Sequence, residues 1–414
     1  MGSAIQKAFS DQRTYLLLFF LWPFLAFLFA IRDYRTRESK AVVYLFLMYY
    51  GLTFIIDSEG LDSAVYAMKL VDSAARPMSD IFKVILGLYS SDASLDIVIQ
   101  FITFAISRFT TNHAFLFVVF AALFGFFYLK SIDLLHDQFL KNPNNNAMIH
   151  LFFFTFIIPI FFINGVRMWT AAWIFFYGAY HVIVNRNLKF ILVAFSAALV
   201  HFSFLAAAFV LLIYYLAGNR NIIYASLLVF SFVMPELLGP IITKYAPLLG
   251  EGIQSSLAGY SSVDYISSSN EVREHSSWFM RISTDLVLYY LGASVIIVRL
   301  LWRRMERQSI EKNLFSFILL FFAFVNFAKI IPTFGNRFQL VFFLFATVYL
   351  FVYYVRIPEK KINLLAWIGL IPMVLYTAII FRQGALSTSV WLISPGLGAP
   401  LIATDFSFYD LLFN

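Results

Sequence analysis

Residues 148–184 read MIHLFFFTFIIPIFFINGVRMWTAAWIFFYGAYHVIV. Among them Arg167 is the one Asp, Glu, Lys or Arg. Two apolar runs flank the short polar turn at Asn164-Gly165-Val166-Arg167. Each run approaches the roughly 20 apolar residues needed to cross a bilayer core. The stretch therefore predicts two membrane spans, 148–163 and 167–184. The whole chain supports this: it has 414 residues, 61% hydrophobic and 13% charged, with a mean hydropathy of +0.80. A soluble domain carries about 25% charged residues. The composition excludes a soluble globular enzyme, a disordered chain and a coiled coil. The chain has no Cys, which excludes disulfides, thiolate metal sites and Cys nucleophiles.

Working outward, the same criterion predicts spans near 15–31, 41–56, 112–131, 188–204, 205–217, 222–235, 284–301, 314–331, 336–355 and 363–381. The expected architecture is an all-α polytopic integral membrane protein with about 12 transmembrane helices, a single membrane domain over 1–414. Tyr15–Ile31 is followed by a basic loop rather than a cleavage site, so it does not read as a signal peptide. Lys and Arg crowd the loops after 31, after 301 and after 355, all on one side if twelve spans alternate. That side holds 17 Lys and Arg against 7 Asp and Glu, a net of +10. The other holds 13 against 16, a net of −3, which together give the formal +7. Positive loops mark the cytoplasmic side. Both termini are then expected outside the cytoplasm. The charge reports orientation and makes no case for nucleic acid.

The outer face carries the long segments 57–111 and 236–283 and the tail 382–414. Within the first, Leu95–Phe109 has helical apolar spacing at Ile97, Val98, Phe101, Ile102 and Phe104, as expected of a helix lying in or dipping into the membrane plane. The second is rich in Ser and Gly and reads as a loop. No internal repeat and no pair of matching broken helices, the mark of many transporters, is evident.

Ionisable residues at a span are functional candidates by default. Arg167 opens one span, His201 closes another, Arg281 precedes a third, Lys329 lies near the end of a fourth and Arg337 opens a fifth. All are expected at one depth on the outer side. Guanidinium groups hold phosphates by bidentate, charge-assisted bonds, and helix N-termini attract anions. A diphosphate on a lipid carrier presents its charge at this depth. The bland alternative is snorkelling to headgroups. For Arg167 and Arg337 the positive-inside bias weighs against it. His201 suits proton transfer or phosphate contact. Asp57, Glu59 and Asp62 stand within six residues beside Tyr66, a grouping suited to sugar hydroxyls or to a general base. No His-Glu-x-x-His or other metal-ligand spacing occurs.

Three segments carry a resemblance to the EpsG family of polytopic membrane proteins, which includes Wzy-type polymerases of O-antigen and capsule repeat units. Gly60-Leu61-Asp62-Ser63-Ala64-Val65-Tyr66 resembles its G-x-D-x-x-x-Y pattern. Arg167-Met168-Trp169-Thr170-Ala171 resembles its R-Q-x-x-A pattern, with Met168 in place of Gln. His201-Phe202-Ser203 resembles its H-x-S. Gly335-Asn336-Arg337-Phe338 is similar to a late Arg motif. The resemblance implies a C-type glycosyltransferase-like membrane fold with large periplasmic loops, needing neither cofactor nor metal. It implies polymerisation of undecaprenyl-diphosphate-linked oligosaccharide repeat units at the periplasmic face of a bacterial inner membrane. Catalytic candidates are then Arg167, His201 and Asp62. Diphosphate contacts are Arg167, Arg281, Arg337 and Lys329. Glycan contacts are Tyr66, Asp57, Glu59 and Trp169. Expected partners are the lipid-linked oligosaccharide, membrane lipids and a chain-length regulator protein. A lipid-linked oligosaccharide flippase, an O-antigen ligase, an acyltransferase and a non-catalytic scaffold are the alternatives. A flippase would carry its charges along a central cavity rather than at one face.

Overall fold

The computed structural model describes residues 13–56, 62–81, 96–139, 144–233, 278–301, 309–356, 363–397 and 406–413. These residues form sixteen α-helices and, apart from two isolated antiparallel bridges, no β-structure. The first five are α1 (Arg13–Leu21), α2 (Pro23–Arg32), α3 (Arg37–Leu52), α4 (Asp62–Ala74) and α5 (Ile97–Ser107). Next come α6 (His113–Phe139), α7 (Asn145–Ile157), α8 (Val166–Asn185), α9 (Lys189–Val200), α10 (Phe204–Ala217) and α11 (Asn221–Val233). The rest are α12 (Trp278–Leu301), α13 (Ser309–Ala328), α14 (Pro332–Arg356), α15 (Leu364–Ser387) and α16 (Phe408–Phe413).

Six stretches of the described residues are long and apolar enough to cross a membrane. They are His113–Asp137, Asn145–Asn185, Ile282–Leu300, Ile310–Ala328, Thr333–Arg356 and Leu364–Ser387. The second is broken at Ile158-Pro159, where Pro cannot donate a helical bond, and resumes through a 3₁₀ turn, Ile160–Gly165, into α8. The chain is a multi-pass membrane protein. The helix α14 is apolar all round and 94% of its span lies inside the protein, as expected of a central helix. By contrast α6 and α15 turn more than half of theirs outward.

Among the described residues six stretches have the length of a full span, where about twelve spans, several of them short, were expected. The segment 15–31 is not one span but a hairpin of α1 and α2. Trp22 is extended (φ −151°, ψ 90°) and Pro23 begins α2, so the chain reverses there. The Tyr15 hydroxyl donates to the Asp33 carboxylate, and its ring stacks on Phe29 at 6.5 Å. A straight helix would hold positions 15 and 33 about 27 Å apart. Each arm is about 14–15 Å long, half a hydrocarbon core. Arg13 thus stands at the same end of the hairpin as the basic stretch Arg32–Arg37.

The other predicted spans each contain a helix, but α9, α10 and α11 have only 12, 14 and 13 residues. They reach about 18–21 Å against about 30 Å for the 20-residue α8. The turn between α9 and α10 nevertheless lies beside the first turn of α8, where Ser203 Oγ comes 4.0 Å from Met168 Sδ. Two close helix approaches hold this arrangement. A Cβ on Gly178 of α8 would lie 2.6 Å from the Ala194 nitrogen of α9, and one on Gly51 of α3 2.4 Å from the Phe117 oxygen of α6. The tail is tied to the outer end of α3: Ile55 N–H donates to Ser387 O at 3.0 Å, and Tyr50 and Thr388 share a hydroxyl bond of 3.1 Å.

Candidate functional site

The site forms where α4, α5, α8 and the α9–α10 turn converge. Asp62 and Tyr66, four residues apart, share one face of α4. The Ser63 N–H donates to Asn164 Oδ1 at 3.3 Å, which pins the start of α4 to the segment leading into α8. Arg167 is the second residue of α8. Its Nε donates to the Tyr66 hydroxyl at 2.7 Å, Nη1 to Asp96 Oδ2 at 3.0 Å and Nη2 to Asp62 Oδ1 at 3.4 Å. The guanidinium also lies 5.7 Å from the Tyr66 ring centre.

Asp96 joins the two halves of the site. It is the N-cap residue of α5, yet its side chain makes no capping bond to that helix. Its carboxylate turns instead to the α9–α10 turn, where it accepts from Phe202 N–H at 2.9 Å and lies 3.2 Å from His201 Nδ1. Asp96 is 5% exposed and His201 8%. A buried carboxylate is stable as an anion only with compensating donors, and three converge here. Burial pushes its pKa up, but the His201 hydrogen bond and charge, the Arg167 charge and the Phe202 N–H together hold it below the usual carboxylate range. The contact at Nδ1 leaves Nε2 of His201 for another partner.

Tyr66 is 3% exposed and packs edge-on against Phe120 at 5.6 Å. Burial raises the pKa of its hydroxyl despite the adjacent Arg167, so the group stays a neutral partner. At this exposure the Tyr66 ring offers little surface to a glycan, and its hydroxyl accepts from Arg167. The half-buried Trp169 leans on Phe162 at 4.9 Å.

A guanidinium has five N–H donors. Three are engaged in the printed contacts with Tyr66, Asp96 and Asp62, which leaves two. The Arg167 side chain is 30% exposed, so those two are within reach of a ligand. Lys69 on α4 lies within electrostatic reach of Arg167, Asp96 and Asp62, so two basic side chains and two carboxyl groups meet here beside His201. The other cations singled out by sequence are Arg337, Lys329 and Arg281. Arg337, half-exposed on α14, pairs with no acid among the described residues. The next residue, Phe338, packs at 5.1 Å against Phe204, the first residue of α10 and three after His201. Lys329 lies in the turn after α13 rather than inside that span, and its backbone packs so tightly on Gly335 that a Cβ there would come within 2.5 Å. Arg281 belongs to α12, and its side chain lies outside the described set. Asp57 and Glu59 also lie outside the described residues. Among the described residues no three His, Asp or Glu side chains converge on a metal position.

Arg167, His201, Asp62 and Tyr66, singled out by sequence, are thus brought into one bonded group. Asp96 was missed. Its signal was an acid directly before the apolar run of α5, a place where a charge near the membrane needs a partner.

A family model described as the EpsG family matches residues 79–391. No curated protein and no solved structure matches the chain.

Proposed function

We propose, for a chain that belongs to the EpsG family, that it polymerises oligosaccharide repeat units carried on undecaprenyl diphosphate. Membership in the family points to a glycosyltransferase-like role in polysaccharide synthesis at a membrane. The finer reading adds an active site at the periplasmic face of a bacterial inner membrane, producing O-antigen or capsule polysaccharide.

The observation that carries the reading is the Asp96 carboxylate shared between Arg167, His201 and the Phe202 N–H. This is the arrangement of an oriented general base: a carboxylate fixes one ring nitrogen and supports the imidazolium that forms. His201 Nε2 takes the proton of the acceptor sugar hydroxyl. That oxygen then bonds to the anomeric carbon of the donor glycan, and the carbon–oxygen bond to the diphosphate breaks, its electron pair leaving with the phosphate. Arg337, the two spare donors of Arg167, and Arg281 and Lys329 from neighbouring elements stabilise the leaving charge. Asp62 holds Arg167 in place and is the second candidate for the base. The α9–α10 turn, level with the first turn of α8, suits a headgroup-level diphosphate.

The test separates the two roles. In purified protein given a carrier-linked repeat unit, His201→Gln should lower kcat with little change in KM. Arg337→Gln should raise KM for the carrier-linked donor. Equal losses in both parameters for both variants would remove this division of roles.

A further inference from the structure

A cleft of about 470 Å³ opens on the basic side of the protein, between the start of α3 and the last turns of α6. Its rim carries Arg35, Arg37 and Lys130, and its wall is Tyr44, Phe126 and Leu129. The cleft is remote from the site above: α6 is 27 residues long and these residues lie at its opposite end from His113.

The charge in the cleft is not balanced. Lys40, at its floor, is bonded to Asp133 at 2.9 Å and to Asp137 at 3.2 Å. Asp137 also accepts from His136 at 2.9 Å. The two acids lining the cleft are therefore already engaged. Arg35, Arg37 and Lys130 are exposed, and no acid among the described residues pairs with any of them. Lys130 lies 5.9 Å from the ring centre of Phe126, which fixes its stem along the apolar wall. Three unmatched cations facing one cleft of this size form a seat for a phosphate-bearing group.

The wall identifies the source of that phosphate. Phe126 is 47% exposed and lies one turn from Lys130. Phe115, 46% exposed, lies three turns further along the same stripe of α6. The cations thus stand at the head of an apolar track running along a membrane-spanning helix. A soluble anion needs no such track, whereas a phospholipid needs both: a cationic seat at headgroup depth and a surface for its acyl chains.

We infer that this cleft binds an anionic phospholipid headgroup on the cytoplasmic side, with Arg35, Arg37 and Lys130 on the phosphate and an acyl chain along Phe126. The test uses the full-length protein in detergent, followed by thermal unfolding against added phosphatidylglycerol, phosphatidylcholine or inorganic phosphate. Phosphatidylglycerol should raise Tm saturably, and the other two should not. In R35Q/R37Q/K130Q the half-saturating phosphatidylglycerol should rise on the order of 100-fold, from three headgroup charges. The control R303Q/R304Q/R307Q, in the basic stretch that follows α12 in sequence, should keep the wild-type response. An equal response to phosphatidylcholine, a response to inorganic phosphate, or an equal loss in the control would each overturn the inference. If the triple variant does not fold, a photoactivatable phosphatidylglycerol on the unaltered protein decides. Labelling within 34–44 or 114–137 supports the cleft, and labelling confined to other peptides refutes it.

Discussion

Replacing Asp96 with Asn tests the site most sharply, because it keeps the side chain's shape and removes its charge. The carboxylate takes donors from Arg167 at 3.0 Å, His201 at 3.2 Å and Phe202 N–H at 2.9 Å. An Asn oxygen can replace one oxygen's contacts, but the amide NH₂ then meets a donor. Charge-assisted bonds are worth about 1.5–3 kcal/mol each. Breaking a buried pair outright costs about 3–5 kcal/mol. Arg167 keeps Asp62 and Tyr66 and is 30% exposed, so the loss falls at the low end, about 3 kcal/mol. If that loss is felt in the transition state, turnover falls on the order of 100-fold. The assay is multimer formation from a carrier-linked repeat unit by purified D96N, with binding of that unit measured in parallel. Thermal unfolding checks that the protein remains folded. Wild-type turnover in a folded D96N protein would refute the argument that Asp96 orients His201.

Other consequences are open to direct measurement. Arg167→Lys should abolish long polysaccharide while leaving protein in the membrane, since one ammonium cannot span Tyr66, Asp96 and Asp62; a normal chain-length ladder would contradict this. Because Asp96 is held below the ordinary carboxylate range, its ionised form stabilises the fold above about pH 4. That contribution is lost only as pH falls through the lower folded value. The Tm difference between wild type and D96N should therefore persist from neutral to about pH 4 and close below it; closure near pH 6 would be inconsistent. Gly178→Val should lower Tm markedly, because even a Cβ would lie 2.6 Å from the Ala194 backbone; an unchanged Tm would show that α8 and α9 are not packed this closely. The chain has no Cys, so Thr14→Cys and Arg35→Cys can be labelled one at a time with an impermeant thiol reagent. Both should label from the same side of the membrane, and opposite sides would restore a single span at 15–31.

The parts of the fold legible in the sequence were those set by apolar length and local pattern. The runs flanking Arg167 were read as two helices because a polar turn separates them, and α5 was read from its helical spacing. The hairpin at Trp22 was not, because hydropathy averages over direction: two arms of nine and ten residues, rich in Phe and Leu, look like one continuous span. Pro23 in the middle of that run was the available cue. At the site, Arg167, His201, Asp62 and Tyr66 stood out as motif residues or as charges at a span end. Their mutual bonding is a tertiary fact that no spacing rule supplies. Asp96 and the buried state of Tyr66 depend on that same tertiary packing. Nothing in the sequence around Asp96 shows that its carboxylate turns from α5 to the Phe202 N–H.

The central claim rests on what the purified chain does with lipid-linked repeat units of its own polysaccharide. Given only these units in a bilayer, the protein should yield a ladder of products, each one repeat unit longer than the last and still attached to the carrier. Free undecaprenyl diphosphate should be released in step with each addition. Movement of intact units across the bilayer without any longer product, or transfer only to a lipid A core, would contradict it.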